Sequence, residues 1–264
     1  MLNHPLRHIA QNFACYIPGV RKLQRGYATT GAMNDPIVMT EWAGYIERDI
    51  IVKGKSICGQ IFLEIGPGHS IGVALNLLKA GAKGVYLLDI KKYADLTGVD
   101  QTLRERLHYA IVNDEGDWPI ESESVDVIYS YFSGEHLRYP DNVVKAMARA
   151  LRHDGVCIFA VDLEDHVHRD TNRLQYLYYE EKLWNAMFSQ RGAWTNRLLE
   201  PDWRNLFERS FSRVEITPAL KDLPECFDRT RIAPKFRNYP ESVLHVSSIW
   251  IAATLPRHPS VQAG

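Results

Sequence analysis

The stretch "IFLEIGPGHSIG", residues 61–72, decides the fold. An apolar run leads to Glu64, then Gly66, Pro67 and Gly68 follow, and an apolar helical pattern begins beyond them. A strand, a tight turn and a helix start in succession form the arrangement that holds a nucleotide in open α/β sheets. The turn is not the dinucleotide fingerprint. Gly66, Gly68 and Ile71 stand at the three glycine places of G-x-G-x-x-G, so the last glycine is missing. Glu64, two residues before the first glycine, would repel a pyrophosphate and suits a cationic or neutral ligand.

Strands and helices alternate outward from this turn. Residues 36–53 read as a helix, with Asp35 as N-cap and Pro36 at its first position. "SIGVALNLLKAGAK" predicts a helix ended by Gly81, and "GVYLLDI" a second strand ending near Asp89. "HYAIVND" predicts a third strand running to Asn113 and Asp114, and "SVDVIYSYF" a fourth. "DNVVKAMARALRHDG" predicts a helix closed by Gly155, and "VCIFAVDL" a fifth strand. This alternation implies a doubly wound parallel sheet with right-handed crossovers. It stops after residue 162, where a polar, aromatic, mostly helical insert follows. A helix at "PDWRNLFERSF" and two strands, "SRVEITPAL" and "SSIWIAATL", close the fold with an antiparallel hairpin. The expected sheet has seven strands. The expected divisions are 1–54 for an N-terminal arm and helix, 55–162 for an α/β core, 163–201 for a lid, 202–255 for the last helix and strands, and 256–264 for a tail.

Composition bounds the function. The 264 residues are 45% hydrophobic and 24% charged, enough for one normal core, and the net charge of -1 gives no basic field for nucleic acid. Cys15, Cys58, Cys157 and Cys226 have no CxxC spacing and read as isolated thiols of a reducing, cytoplasmic compartment. No apolar run reaches membrane-spanning length. Residues 1–34 hold no Asp or Glu but do hold Arg7, Arg21, Lys22 and Arg25. They read as a basic arm packed on the domain, with a peripheral membrane contact as the other reading.

Three carboxylates surround the glycine turn in register. Asp89 ends the second strand, where it can take both hydroxyls of a ribose. Asp114 follows the third, where it can accept from the exocyclic amine of a base. Such a set fits a nucleoside with a positive or amino-acid tail and fits a polyphosphate badly.

"LEIGPGHS…VYLLDI…IVNDEGDWPIESESVDVIYSYFSGEHL…ALRHDGVCIFAVD", within residues 61–162, resembles the class I S-adenosylmethionine-dependent methyltransferases in order, spacing and strand context. The resemblance implies a Rossmann-like methyltransferase fold, S-adenosylmethionine as cofactor and S-adenosylhomocysteine as product. It implies that Gly66, Pro67 and Gly68 pass under the methionine moiety with Glu64 near it. Asp89 and Ile90 would lie at the ribose, Asp114 and Glu115 at the adenine, Asp117 and Trp118 close by, and Ser130 at the pocket. Ser70 departs from the third glycine of many members.

The acceptor side is read from the ends of strands four and five. The N/D-P-P-Y/F signature of amino-methylating enzymes is absent, which lowers the nucleic-acid and protein-amide readings. Glu135 and His136 resemble the "LEH" of many small-molecule methyltransferases. Asp162, Asp165, His166 and His168 cluster after strand five, where a histidine beside a carboxylate can act as base or the group can bind a divalent metal. His166, Asp162 and His136 are the candidate catalytic residues, and no metal is assigned. Arg197 is a candidate for an acidic acceptor or a surface ion pair. "VDLEDH", "LWNAMFS", "TNRLLEPDWRNLFERSF" and "RKLQRGYATTGAMND" resemble a bacterial subgroup tied to surface-polysaccharide and glycolipid assembly. The leading expectation is O-methylation of a sugar or glycan precursor. Methylation of a lipid, quinone or natural product, and a non-catalytic module with the same fold, stay open.

Overall fold

The computed structural model describes residues 4–17, 20, 35–113 and 115–257. Among the described residues, the helices α1 (His4–Ala14) and α2 (Pro36–Val52) precede the sheet. Asp35 caps α2 as expected, its Oδ1 accepting the Ile37 amide at 2.8 Å, with Pro36 at the first position. The core then runs β1 (Ile61–Ile65), α3 (Gly72–Lys79), β2 (Gly84–Asp89), α4 (Gln101–Arg104), β3 (Leu107–Ile111), β4 (Val125–Tyr131), α5 (Pro140–Ala150) and β5 (Leu151–Asp162). The insert carries α6 (Arg169–Asn172) and α7 (Glu181–Phe188), and the chain ends with α8 (Glu200–Ser210), β6 (Phe211–Leu220), α9 (Glu241–Leu244) and β7 (Val246–Pro256).

The seven strands form one sheet in the order β3-β2-β1-β4-β5-β7-β6. β1 to β5 pair in parallel, and β7 runs antiparallel to both β5 and β6, which is the expected closing hairpin. Strand order reverses between β1 and β4, so their carboxyl ends flank the crevice where such sheets bind ligands. Helices cover both faces, which is why the central strands are apolar on both sides. Leu63, Ile65, Ile128 and Phe159 pack with Met147 of α5 and Trp203 and Phe207 of α8. Phe62, Leu87, Val127 and Ile158 pack with Ile46 and Ile50 of α2 and Leu77 of α3.

Three boundaries differ from the sequence reading. The α5 helix stops at Ala150, not at Gly155, because fully buried Leu151 turns extended and pairs with Val125 to open β5. The register shift between Val125 and Val127 absorbs the early start. β3 ends at Ile111, short of Asn113. The α3 helix begins only at Gly72, after the turn.

The insert has a core of its own. Leu174, Tyr176, Trp184, Phe188 and Leu199 pack with Ile232, Phe236 and Leu244 from the loop between β6 and β7. The insert therefore shares one apolar core with the β6–β7 connection. Arg197 lies at its centre. It is buried, with Nη1 donating to the Tyr176 and Tyr179 carbonyls at 3.1 and 2.6 Å, Nη2 bonding Glu181 at 2.5 Å, and its guanidinium over Trp184 and Phe236. It is neither an acceptor contact nor a surface ion pair, because it is buried and both Nη atoms are engaged within the insert.

Candidate active site

The glycine turn has the geometry its sequence requires. Gly66 and Gly68 sit at φ +71° and +63°, a region that favours glycine. A Cβ on Gly66 would lie 2.6 Å from the Ser133 Cβ, so the turn also needs glycine for close approach to the loop after β4. Asp89, at the end of β2, reaches across to it. Its Oδ2 accepts the Gly68 amide at 3.0 Å and its Oδ1 the Ile90 amide at 2.7 Å. Ile90 beside it is exposed. Glu64 is buried and accepts the Tyr129 hydroxyl at 2.8 Å. Burial pushes its carboxyl up to about 8, the Tyr129 bond works the other way, and the charge of Asp89 adds to the rise. Burial raises Asp89 as well, against the bonds from Gly68 and Ile90.

Burial disfavours the charged forms of these two carboxylates, so a ligand that brings positive charge is the one that would restore them. That donor set fits a ligand with a sulfonium and an ammonium group, and ribose hydroxyls can reach the remaining lone pairs of Asp89. The fit to S-adenosylmethionine rests on these carboxylates and on the glycine approach.

Ser133 joins this turn to a second cluster. Its Oγ donates to the Ile65 carbonyl at 3.0 Å, and the next three residues, Gly134–His136, form a 3-10 turn. This turn lies against β5, where a Cβ on Gly134 would come within 2.4 Å of Phe159. Glu135, His136, Asp162 and His166 converge here. His166 Nε2 is 3.6 Å from Asp162 Oδ2 and 3.9 Å from Glu135 Oε1, and His136 Nε2 is 4.0 Å from the same Glu135 oxygen. The two imidazoles stand edge to face, 5.0 Å between centroids.

Burial pushes the Glu135 carboxyl up to about 8, with His166 pulling against it. Burial, and the like charge of His166, pull His136 down to about 4. His166 is penalised by burial, but Asp162 and Glu135 outweigh that and hold it above the ordinary imidazole value. Asp162 also loses to burial, yet His166 and Arg169 bring it below the ordinary carboxylate range. His136 is thus neutral near pH 7. Its Nδ1 lies 2.8 Å from the Trp194 carbonyl, which can only accept, so Nδ1 carries the proton and Nε2 a lone pair.

Residues 63–159 match the methyltransferase-domain family. The chain carries a methyltransferase domain of the S-adenosylmethionine-dependent kind. No curated protein matches it. Among solved structures, the Haemonchus contortus phosphoethanolamine N-methyltransferase 2 in complex with S-adenosylmethionine is 17% identical, with a TM-score of 0.52 over 84% of this chain and 57% of that one. A second structure of that enzyme, with phosphomonomethylethanolamine and S-adenosylhomocysteine, is 15% identical, with a TM-score of 0.52 over 89% of this chain and 61% of that one. The Bacillus halodurans methyltransferase BH2331 is 14% identical, with a TM-score of 0.48 over 80% of this chain and 98% of that one. At these identities the likeness concerns the fold.

Several residues of the methyltransferase stand elsewhere than the sequence suggested. Ser130 is fully buried, and its hydroxyl bonds the Ile65 carbonyl at 2.9 Å, so it supports the turn from beneath instead of facing the cofactor. Trp118 is buried in the core beside α5 and offers its carbonyl to Arg149, which leaves packing as its role. Pro67 is buried in the turn, and Glu115 and Asp117 are exposed beyond β3. Asp114 lies outside the described residues. Asp165 and His168 separate from the catalytic candidates. Asp165 accepts the Val167 and His168 amides at 2.7 and 3.0 Å and the His168 imidazole at 2.9 Å, which fixes the loop. Glu135 was quoted in the sequence only as part of a motif, yet it is the carboxylate both histidines share. Its signal was adjacency to His136, and its partner thirty residues on was hidden by the crossover.

Proposed function

We propose that this methyltransferase methylates a hydroxyl oxygen of a sugar, in a glycan or glycolipid precursor. The observation that carries this reading is the cluster of Glu135, His136, Asp162 and His166 at the ends of β4 and β5, joined through Ser133 to the turn that holds the cofactor. When bound, S-adenosylmethionine supplies a methyl carbon activated by its sulfonium. A neutral alcohol must lose its proton to become a competent nucleophile, whereas a neutral amine attacks without prior deprotonation. A set of two imidazoles and two carboxylates, with Glu135 buried between them, serves the first case. Orientation of the acceptor oxygen toward the methyl carbon supplies much of the remaining rate.

Neighbouring surfaces support a glycolipid. Trp42, Tyr131, Phe132 and Trp250 stand together on the α2 face of the same strand ends, and an apolar groove there is lined by Phe132, Ala160, Pro218 and Trp250. Aromatic faces suit sugar rings and alkyl chains alike. The groove also favours a second reading, in which the acceptor is a lipid, quinone or natural product. Among the described residues no helix is long and apolar enough to cross a membrane. Peripheral contact has support from α1. Its buried side carries His8, Asn12 and Cys15, while Leu6 and Phe13, and Tyr16 and Ile17 just beyond it, are exposed.

The test is methyl transfer from isotopically labelled cofactor into fractionated cell extract. One methylene mass gained on a sugar-containing metabolite or lipid supports the proposal, and label on nitrogen, protein or nucleic acid overturns it. In the same assay Asp89→Ala should weaken cofactor binding by about 1–3 kcal/mol, for lost hydrogen bonds to a charged group. Unchanged affinity in calorimetry would remove Asp89 from the cofactor site.

A further inference from the structure

We propose that Glu135, His136 and His166 form a divalent-metal site in the acceptor half of the active site. Glu135 Oε1 and the two Nε2 atoms all lie within 4.8 Å of one another. The histidines stand 3.9 and 4.0 Å from the shared oxygen. Those distances exceed hydrogen-bond reach. They approach the spacing of neighbouring ligands about a first-row cation, roughly 3–3.5 Å for bonds near 2.1 Å, so small side-chain rotations would close the shell.

Three further observations point to a cation. His166 Nε2 is buried and has no hydrogen-bond partner. His136 donates Nδ1–H to the Trp194 carbonyl, the outer bond that turns a ligating imidazole's other nitrogen toward a metal. Glu135 Oε2 is within 3.4 Å of the Asp162 amide, so the second oxygen is held while the first faces the histidines. Among the described residues, those two imidazoles are the only basic groups within 4.0 Å of Glu135. Glu135 Oε1 and the two Nε2 atoms thus face one another without a hydrogen bond among them, an arrangement that a cation would complete.

The donor set indicates which ion. Two imidazoles and one carboxylate suit Mn²⁺, Fe²⁺, Co²⁺ or Zn²⁺, whereas Ca²⁺ and Mg²⁺ take mainly oxygen ligands. A three-ligand shell leaves positions for oxygens of water or acceptor. The His136 side chain, 39% exposed, marks the open side. The role of the ion rests on the hydroxyl-acceptor reading above. It would hold the hydroxyl oxygen and lower its proton affinity, so that water can take the proton.

The test uses the full chain stripped with chelator and titrated with Mn²⁺ alone, followed by electron paramagnetic resonance. One Mn²⁺ should bind per chain. Glu135→Gln and His166→Asn should each weaken it by at least roughly 10–100-fold, and His153→Ala, at an exposed position of β5, should not. Retained S-adenosylhomocysteine binding in calorimetry certifies that the variants fold. Stripped enzyme should regain transfer with added Mn²⁺. Absence of stoichiometric binding of Mn²⁺, Co²⁺ or Zn²⁺, or binding indifferent to these variants, overturns the site. If the variants lose transfer while no ion binds, the cluster works by acid–base chemistry, and methyl transfer to a hydroxyl survives without the metal. If the ion binds but no hydroxyl is methylated, the metal site stands and the acceptor reading falls.

Discussion

Glu64 is a buried carboxylate that, among the described residues, forms no salt bridge. Burial and the charge of Asp89 disfavour its charged form, and the hydrogen bond from Tyr129 opposes them without prevailing. Its folded-state pKa, about 8, lies above the ordinary 4.5. The folded protein therefore holds a proton that the unfolded chain releases. That contribution to stability is complete below pH 4.5 and is lost as pH rises toward 8. The melting temperature of cofactor-free protein should fall across this window, and the fall should be shallower in Glu64→Gln, with Glu135 and Asp89 supplying the remainder. Equal slopes in the two proteins, measured by calorimetry from pH 5 upward, would show that Glu64 is not the titrating group. A ligand that brings a cation would restore the charged form of Glu64, which is how an acidic residue can precede a nucleotide-binding turn.

The 3-10 turn Gly134–His136 is the element on which the acceptor half depends. Three neighbours fix it. Ser133 anchors its start to the Ile65 carbonyl. Asn196 donates its side-chain amide to the Gly134 and Leu137 carbonyls at 2.9 and 3.2 Å and its backbone amide to Glu135 at 2.7 Å. Phe159 and Val161 of β5 leave no room for a Cβ on Gly134. Gly134→Ala should push this turn off β5 at a cost of about 1–3 kcal/mol. Transfer should drop well below wild type while cofactor affinity changes little, because Asp89 and the glycine turn sit on other strands. Methyl transfer in parallel with cofactor calorimetry checks this, and a loss confined to cofactor affinity would contradict it. The segment around Asn196 belongs to the insert, so the insert helps to shape this turn.

The whole molecule is a sheet with two helical layers and a further core shared by the insert and the β6–β7 connection. The α1 helix docks on that insert with its polar side. Asn12 donates to the Ala186 carbonyl at 2.9 Å and accepts the Gln190 amide at 2.8 Å. The opposite side exposes Leu6 at 60% and Phe13 at 72%, with Arg7 exposed beside them. Apolar residues outward and a basic charge alongside match an anionic bilayer surface. The protein should co-sediment with vesicles containing anionic lipid, and a Leu6→Glu, Phe13→Glu double variant should release it without altering cofactor binding. Sedimentation that ignores lipid charge or these substitutions would locate α1 away from any membrane.

The cofactor half was legible in the sequence because it is written locally. Gly66, Gly68 and Asp89 lie at the ends of short apolar strands, and a strand, a glycine turn and a helix leave periodicities that need no tertiary information. The hairpin of β6 and β7 was legible for the same reason, since no crossover helix separates two runs of alternating residues. The acceptor half was legible only in part. His166, Asp162 and His136 were named from the sequence, but Glu135 and His166 meet only after α5 returns the chain beside β4, so the carboxylate between the two histidines, and the pairing of His168 with Asp165, came from the structure. Arg197 and Trp118 read as surface or pocket residues until packing buried them. Local pattern determines strands, turns and caps through steric and hydrogen-bonding preferences of neighbours. Which charged and aromatic side chains share one volume depends on the crossovers and on how the insert closes its core, and only the tertiary structure decides that.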